Sequence, residues 1–248
     1  MTTELRLGKK LAEGKTKIVY DSDKPNEVIL EFKDDITAGD GLKHDVIPGK
    51  GYLNCAISSK FFEVLEKAGV PTHFLKYVAP KYMIVRSVKM LPVEFVCRNM
   101  AAGHILERLP LKLGDIFDTP LIEFFWKSDA HHDPMLNDMH MEFLKFANRA
   151  ECDKLREITL KVNLALKKWL DTKGIVLADF KIEMGRDSKG KFLVSDELNG
   201  DSCRLWAKAQ DGKIFDKDVY RKGKSLDEVK TVYINLYKQL LEQEPTFK

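Results

Sequence analysis

The sequence predicts a mixed α/β fold of the α+β kind, with strands concentrated near the N-terminus and strands and helices combined in the remainder. Two observations carry this expectation. The first is a pair of short segments near the N-terminus that are rich in alternating or β-branched apolar residues. The second is a set of longer segments in which apolar residues recur at helical spacing beside capping or stop signals.

The strands are predicted from short apolar runs that turn-forming residues separate. KTKIVY at residues 15–20 alternates polar and apolar side chains, and VILEF follows at residues 28–32 after a turn, so the two form a predicted hairpin. Strands are also predicted at 83–88 and 93–97. A second hairpin is predicted from strands at 175–183 and 192–197, which the turn-rich MGRDSKGK joins.

The helices are predicted from apolar residues on one face and from signals at their ends. A first helix covers 53–68 and is followed by Gly69 and Pro71, and a second covers 153–172 and ends before Gly174. Ser225 and Glu228 form a capping-box pair at the start of the last helix. Between the first two helices, residues 109–138 are rich in Gly, Pro and Asp and predict a long irregular stretch, a length that points to function.

Composition excludes several classes of protein. The 41 basic and 38 acidic residues of the 248 give a net charge of +3, and they are mixed along the chain, which argues against nucleic-acid binding. No signal-peptide core or long uncharged apolar run occurs, so we expect no membrane partner and a cytoplasmic location. The four cysteines are scattered singly, which predicts reduced, buried thiols rather than zinc ligands or disulfides.

The segment GKKLAEGKT, residues 8–16, is close to a P-loop but does not match it. Five residues separate its two glycines where a P-loop has four, and a strand pattern follows where a P-loop requires a helix. Two interpretations stay open. One is a surface loop with solvated lysines, and the other is a glycine-containing hairpin that covers a nucleotide, with Lys15 or Lys17 as a phosphate ligand.

The segment LADFKIE, residues 177–183, places three charged side chains on one face of a strand. They are Asp179, Lys181 and Glu183. One interpretation is the solvated face of an antiparallel strand. The other follows from the hairpin, which returns Asp196 and Glu197 to that face and creates an oxygen-rich set suited to Mg²⁺ and phosphates.

Two further segments carry candidate ligands. Arg98 ends a predicted strand just before the small-residue turn 101–103, a position suited to a phosphate clamp or to an ordinary surface salt bridge, and Arg204 has the same two interpretations. His131, His132 and Asp133 are either metal ligands or, because adjacent histidines diverge, loop residues that contact solvent or substrate.

Taken together, these segments resemble the SAICAR synthetase family of ATP-dependent ligases. The resemblance is carried by EGKTKIVY, FKDDITAGDG, MLPVEFVCRNMAAGH, KSDAHHDPMLND, LADFKIEMG and SDELNGDSCRLW. It implies a small β-rich N-terminal lobe, residues 1–90, a larger C-terminal α+β lobe, residues 91–248, and ATP in the cleft between them. It also implies that L-aspartate is joined to the carboxylate of carboxyaminoimidazole ribonucleotide through an acyl phosphate, with ADP and phosphate released.

The resemblance also implies a role for individual residues. Those near ATP are Lys15 and Lys17 at its phosphates, Met90 at the adenine, and Lys181 and Glu183. Those that carry catalysis are Lys181, Glu183 and Asp196, of which Glu183 and Asp196 would hold Mg²⁺. Those at the 5′-phosphate of the ribonucleotide are Arg98, His104 and Arg204. Those at the imidazole nucleotide or the aspartate are Asp40, Lys127 and Asp133. The family further suggests a homodimer.

Three positions depart from the family pattern. His104 stands where the family usually has Ser, which makes phosphate binding there pH-dependent, and Met184 replaces Phe. NGD at residues 199–201 replaces SPD, which is expected to shift the loop that presents Arg204. A small-molecule kinase on a related fold is the alternative function, and dependence on aspartate separates it from the ligase.

Overall fold

The computed structural model describes residues 5–39, 41–209 and 213–247. Its N-terminal half begins with strands β1 (Lys10–Glu13), β2 (Lys17–Asp21), β3 (Glu27–Phe32), β4 (Asp35–Ala38) and β5 (Lys43–Val46). Helix α1 (Lys50–Lys67) and strands β6 (Phe74–Val78) and β7 (Tyr82–Arg86) follow. Five of the strands form an antiparallel sheet in the order β1-β2-β3-β7-β6, and β4 and β5 form a separate hairpin.

The second half is built on a larger antiparallel sheet. Its elements are β8 (Lys89–Met100), α2 (Ile105–Arg108), β9 (Ile116–Trp126), β10 (Met135–Leu136), α3 (Asp138–Phe143), α4 (Arg149–Thr172), β11 (Ile175–Arg186), β12 (Phe192–Ser195), β13 (Cys203–Ala207), α5 (Asp218–Arg221) and α6 (Leu226–Leu241). The strand order is β10-β9-β8-β11-β12, and β13 also pairs with β11. A short 3-10 helix covers Asp129–His131.

Strand β11 organises this sheet because it is paired along both edges. One edge pairs with β8, and the other pairs with β12 at residues 183–186 and with β13 at residues 175–180. The chain between β12 and β13, residues 196–202, therefore passes alongside Lys181, whose backbone N–H donates to the Ser202 carbonyl at 2.8 Å. This crossing places the 196–202 loop beside the charged residues of β11.

Most of the predicted elements are confirmed. The two hairpins form with antiparallel pairing, and the three helices form, the last with a capping box between Ser225 and Glu228. The second helix begins earlier than predicted, at Arg149, because Asn148 and Glu151 form another capping box.

The prediction of an irregular stretch over residues 109–138 is wrong, because it contains β9. Pro120 and Asp118 interrupt the apolar alternation that a strand usually shows. The structure accommodates the proline because β9 pairs with β8 on one side and with β10 only through Phe124 and Phe125 on the other. Among the described residues, the rest of that second edge pairs with no strand, so a missing N–H there breaks no ladder hydrogen bond.

A continuous apolar core joins the two sheets. It includes Phe32 and Phe61 from the N-terminal half and Phe95 and Phe180 from the larger sheet. Helix α6 returns to pack against α1, and α4 packs against β11. All four cysteines are buried free thiols, as predicted. Within the described ranges, no helix combines the length and apolarity needed to cross a bilayer.

Candidate functional site

Two of the three charged side chains on one face of β11 are buried, whereas the Lys181 side chain between them is 40% exposed. Asp179 is 3% exposed and Glu183 is 6% exposed, so the interpretation of this strand as an exposed antiparallel strand is wrong. Strand β11 is flanked by the 196–202 loop along one edge and by β8 along the other, where Glu94 lies directly opposite Glu183 in the ladder. Burial of several charges in one place requires compensating partners.

Lys17 of β2 supplies one such partner. Its Nζ lies 3.0 Å from Asp196 Oδ1 and 3.1 Å from Glu197 Oε2, and Thr16 Oγ1 donates to Glu197 Oε1 at 3.3 Å. Burial disfavours the ammonium, but the two carboxylates outweigh it and raise the pKa of Lys17. The surface-loop interpretation is therefore wrong for this lysine.

The glycine segment before Lys17 forms the turn of a β-hairpin. Strand β1 pairs with β2, and no helix follows Gly14, so the segment is not a P-loop. Lys15 lies at the turn, with its Nζ 3.5 Å from Asp129 Oδ1. The turn thus spans from the first sheet to the loop that follows β9.

Two more lysines approach the carboxylates from the larger sheet. Lys127 Nζ lies 2.5 Å from Glu183 Oε1, and Lys181 Nζ lies 2.5 Å from Glu94 Oε1. Burial raises the pKa of Glu183 to about 7, and the charge of Asp196 adds to this while Lys127 opposes it. The two carboxylates therefore repel each other while three lysines lie beside them.

Asp196 has an unusual backbone conformation. Its φ of 64° lies in the left-handed region, which costs a non-glycine residue on the order of 1 kcal/mol. The strand before it is fixed by the N-terminal half, because His73 N donates to the Val194 carbonyl at 2.9 Å. Burial disfavours the ionised carboxylate of Asp196, but the charges of Lys17 and Lys127 more than compensate and lower the pKa of Asp196. The carboxylate is therefore held ionised in the cleft.

A second cluster is centred on Asp179. Its Oδ2 accepts hydrogen bonds of 2.8 Å from both Arg98 Nη1 and Arg204 Nη1. Arg98 also donates through Nε to Glu123 at 2.7 Å, and Arg204 through Nε to Asp218 at 3.0 Å. Because the Arg98 side chain is only 6% exposed, the surface-salt-bridge interpretation is wrong for it. The two guanidinium groups converge, as a site for an oxyanion requires.

The small-residue turn after β8 packs against this pair. Gly103 has a φ of +64°, and a Cβ on it would lie 2.3 Å from Arg204 Nη2. Only glycine therefore permits both the turn and the approach of the guanidinium. His104 follows on the surface, immediately before α2.

The other predicted residues lie in the loop after β9, where the two halves join, or outside the described residues. Asp133 Oδ1 accepts from Ser128 N at 2.7 Å and closes the loop after β9, while Ser128 Oγ contacts His131 Nδ1 at 2.7 Å. Met90, 40% exposed, lies opposite Gly185 where the two halves join. Asp40 lies outside the described residues. No group of three or more metal-ligating side chains occurs within 5–39, 41–209 and 213–247, so a protein-only metal centre at 131–133 is not supported.

Sequence reasoning missed the buried partner of the 196–202 loop. Lys50 is 1% exposed, and its Nζ lies 2.5 Å from Asp201 Oδ2, which also accepts from Asn54 at 3.0 Å. A lysine at the start of a helix is ordinarily solvated, so no local signal in the sequence identifies Lys50 as buried. Asn199 stabilises the same loop by donating to Ser58 Oγ at 3.2 Å and to Glu197 at 3.1 Å. In this loop Arg204 still reaches Asp179.

Comparison with known proteins identifies the family. The profile described as SAICAR synthetase matches residues 10–240. The chain belongs to the SAICAR synthetase family. It is 47% identical over 229 residues to the phosphoribosylaminoimidazole-succinocarboxamide synthase of Sulfolobus acidocaldarius, covering 92% of this chain and 97% of the relative. The synthase of that name from Methanocaldococcus jannaschii is 50% identical over 212 residues, covering 86% and 87%.

Solved structures of SAICAR synthetases have the same fold. A type-2 SAICAR synthetase in complex with ADP superposes with a TM-score of 0.90 at 40% identity, covering 95% of this chain and 99% of that chain. The synthase from Ehrlichia chaffeensis gives a TM-score of 0.89 at 36% identity, covering 94% and 98%. These matches confirm the predicted α/β class and the resemblance.

Membership of the SAICAR synthetase family establishes the class of reaction. The chain is an ATP-dependent ligase of purine biosynthesis, and it joins L-aspartate to the carboxylate of carboxyaminoimidazole ribonucleotide. The matches span nearly the whole of both chains, so both halves of the cleft belong to the shared fold. The alternative of a small-molecule kinase is thereby excluded.

Proposed function

We propose that the carboxylate and lysine cluster is where the phosphates of ATP meet the ribonucleotide carboxylate. The single observation that carries this is the convergence of Lys17, Lys127 and Lys181 on Glu183 and Asp196 in one cleft. Cations offset the charge that crowds together when a phosphoryl group moves between two anions. Lys15 at the hairpin turn and Met90 at the junction of the two halves extend the proposed ATP site to its phosphates and its adenine.

The donor set fits Mg²⁺. This ion typically takes one or two protein carboxylates and completes its shell with water and phosphate oxygens, which agrees with two neighbouring carboxylates and no larger cluster among the described residues. We assign Glu183 and Asp196 as its ligands, as the family resemblance implies, because these two carboxylates come together beside Lys127 and Lys17. Bound there, Mg²⁺ would neutralise phosphate charge and orient the transferred group.

The Asp179 cluster is proposed as the site of the ribonucleotide 5′-phosphate. Arg98 and Arg204 are aligned on one carboxylate, which fixes their planes without using every N–H of either group. Gly103 brings backbone close to Arg204, and His104 adds an imidazole at the rim. The loop with Lys127 and Asp133 is proposed to contact the imidazole nucleotide or the aspartate, and Asp40 is proposed to act with them.

The proposed reaction has two steps. A carboxylate is a poor electrophile, so its oxygen first attacks the γ-phosphate of ATP, which releases ADP and leaves an acyl phosphate. The amine of L-aspartate then attacks the acyl carbon, loses a proton and expels phosphate to leave the amide. Lys181 is placed to stabilise negative charge on the transferring group, since its ammonium lies among Glu94, Glu183 and Asp196.

The wider organisation is also a proposal. We propose that residues 1–90 and 91–248 act as two lobes around ATP, that the enzyme is a homodimer as the family resemblance suggests, and that it is cytoplasmic. Four buried free thiols support a reducing compartment. Sedimentation of the purified protein tests the dimer.

Release of ADP from Mg-ATP tests the proposed chemistry when each co-substrate is omitted in turn. Steady release that needs both the ribonucleotide and L-aspartate supports the two-step ligation. Release that the ribonucleotide alone sustains, with no effect of aspartate, would contradict it.

A further inference from the structure

Lys217 lies at the start of α5, between the two clusters of the site. Its backbone N–H donates to the Gly200 carbonyl at 2.9 Å, which ties it to the 196–202 loop. The next residue, Asp218, accepts from Arg204 Nε at 3.0 Å. Lys217 thus joins the loop that carries Asp196 to the residues that surround Arg204.

The ammonium of Lys217 makes no hydrogen bond or ion pair within the described ranges, 5–39, 41–209 and 213–247, and the charges of Asp201 and Glu197 act on it only at longer range. Its side chain is half-buried. A half-buried cation with no anion in contact is uncommon, because desolvation is not fully repaid. Burial indeed lowers the pKa of Lys217, and the nearby charges of Arg221 and Lys50 lower it further although Asp201 opposes them.

The carboxylates around Lys217 are all engaged by other groups. Asp201 contacts Lys50, Asn54 and Tyr233, and Glu197 contacts Lys17, Thr16 and Asn199. Asp218 pairs with Arg204 and Arg221. Asp216 accepts hydrogen bonds from the backbone N–H groups of Leu205 and Asp218. The described residues therefore place no carboxylate in direct contact with the Lys217 ammonium, although the charges of Asp201 and Glu197 favour it at longer range. Such an arrangement is suited to an anionic ligand.

We propose that Lys217 binds a carboxylate of the incoming L-aspartate. This rests on the proposed function, in which the phosphate groups of the other two substrates already have cations. Lys17 and its neighbours serve ATP, and Arg98 and Arg204 serve the 5′-phosphate. L-Aspartate brings two further carboxylates, and its amine must reach the acyl carbon between these clusters. The backbone of Lys217 contacts the loop of the first cluster, and Lys217 directly precedes Asp218 of the second.

Steady-state kinetics of Lys217→Met separates the three substrates. We expect the KM for L-aspartate to rise about 10- to 100-fold, as for loss of a charge-assisted hydrogen bond, with KM for ATP and the ribonucleotide changed less than about twofold. Lys217→Arg retains the charge and should recover much of the affinity, which a general base would not do. The control is Lys222→Met, at the exposed end of the same helix, which should behave as wild type.

A binding measurement covers a variant whose turnover is too low to assay. Succinate has both carboxylates of aspartate and no amine, so calorimetric titration of succinate into the enzyme with Mg-ADP and the ribonucleotide measures this contact without catalysis. Succinate should bind wild type and bind Lys217→Met about 10-fold or more weakly, with melting temperatures of the two proteins alike.

The outcomes separate this proposal from the proposed function. If wild type requires aspartate but Lys217→Met keeps its KM for aspartate and its affinity for succinate, the assignment of Lys217 is overturned alone. A rise in the KM for the ribonucleotide instead would place Lys217 at the phosphate and also overturn it. A wild-type enzyme indifferent to aspartate would overturn the proposed function itself.

Discussion

Lys17 Nζ and Asp196 Oδ1 lie 3.0 Å apart, although the first belongs to the N-terminal hairpin and the second follows β12 of the larger sheet. The contact joins the two sheets at Asp196, whose backbone has a left-handed conformation. Removal of either charge would leave the other buried without its partner, which is more costly than losing an exposed ion pair. The proposed catalytic carboxylate is therefore positioned by both halves of the molecule.

Glu183→Gln and Asp196→Asn should each lower kcat by at least about 100-fold at saturating Mg²⁺, because a lost ligand removes charge stabilisation in the transition state. The melting temperature should change little in Glu183→Gln and should fall in Asp196→Asn, because Lys17 then keeps only Glu197 of its two carboxylate partners. The control is Asp153→Asn on the exposed side of α4, which should retain full activity. Turnover near that of wild type in either site variant would contradict the metal assignment.

Arg98→Lys should raise the KM for the ribonucleotide about 10-fold and leave that for aspartate unchanged. The charge remains, but the lysine cannot reproduce the fork that now contacts Glu123 and Asp179. Initial-rate measurements with each substrate varied in turn check this. An unchanged KM for the ribonucleotide would remove Arg98 from the phosphate site.

Gly103→Ala should weaken ribonucleotide binding and also lower stability. A Cβ at this position would overlap the Arg204 guanidinium in addition to straining the backbone. Gly190→Ala is the matched control, because it has a φ of +78° with open space around it and should cost only the strain, about 1 kcal/mol. Equal effects of the two substitutions on ribonucleotide KM would contradict the packing argument.

Lys50→Met should destabilise the protein by about 3–5 kcal/mol, since it leaves Asp201 buried without its cation. The double variant with Asp201→Asn should be more stable than Lys50→Met alone. Urea unfolding at neutral pH measures both, and Lys60→Met on the partly exposed face of the same helix is the control. A Lys50→Met protein as stable as that control would show that the pair contributes nothing.

Asp216 should make stability depend on pH in a defined direction. Burial, with the charge of Asp218 adding to it, raises its pKa from 3.8 to about 7 in the folded protein. The pKa of Asp216 is higher in the folded than in the unfolded protein, so its contribution to the free energy of unfolding is complete below pH about 4. This contribution is lost as the pH rises to about 7, at about 1.4 kcal/mol per pH unit.

Asp216→Asn removes this dependence. Relative to that variant, wild type should therefore lose unfolding free energy between pH 4.5 and 8, whereas the other carboxylates are common to both proteins and cancel. Urea unfolding of the pair at the two pH values measures the difference. A difference that stays constant, or that grows in favour of wild type as pH rises, would contradict the assigned shift.

Local signals in the sequence were sufficient for most of the fold. The capping box at Ser225 and Glu228 and the alternation in residues 15–20 act within a few residues, and both elements form as predicted. Strand β9 was not predicted because Pro120 interrupts its apolar pattern. Strand β1 was not predicted because its side chains, all exposed, show no alternation. Strand β1 forms because it pairs with β2, a tertiary contact that its own sequence does not indicate.

The site was predictable as a set of residues and not as a set of contacts. Alternation along β11 placed Asp179, Lys181 and Glu183 on one face, and the structure confirms that they share it. It could not show that Asp179 joins Arg98 to Arg204, because that depends on the register of β8 and β13 against β11. The roles of Lys50 and Lys217 could not be predicted for a related reason, because only tertiary packing buries these two lysines.

Binding of Mn²⁺, as a paramagnetic substitute for Mg²⁺, tests the central claim most directly. Electron paramagnetic resonance of the enzyme with ADP should show tight Mn²⁺ binding in wild type, and binding about 10-fold or more weaker in Glu183→Gln and Asp196→Asn. Asp153→Asn should match wild type. Equal Mn²⁺ affinity in all four proteins would show that the carboxylates of β11 and the 196–202 loop do not hold the metal.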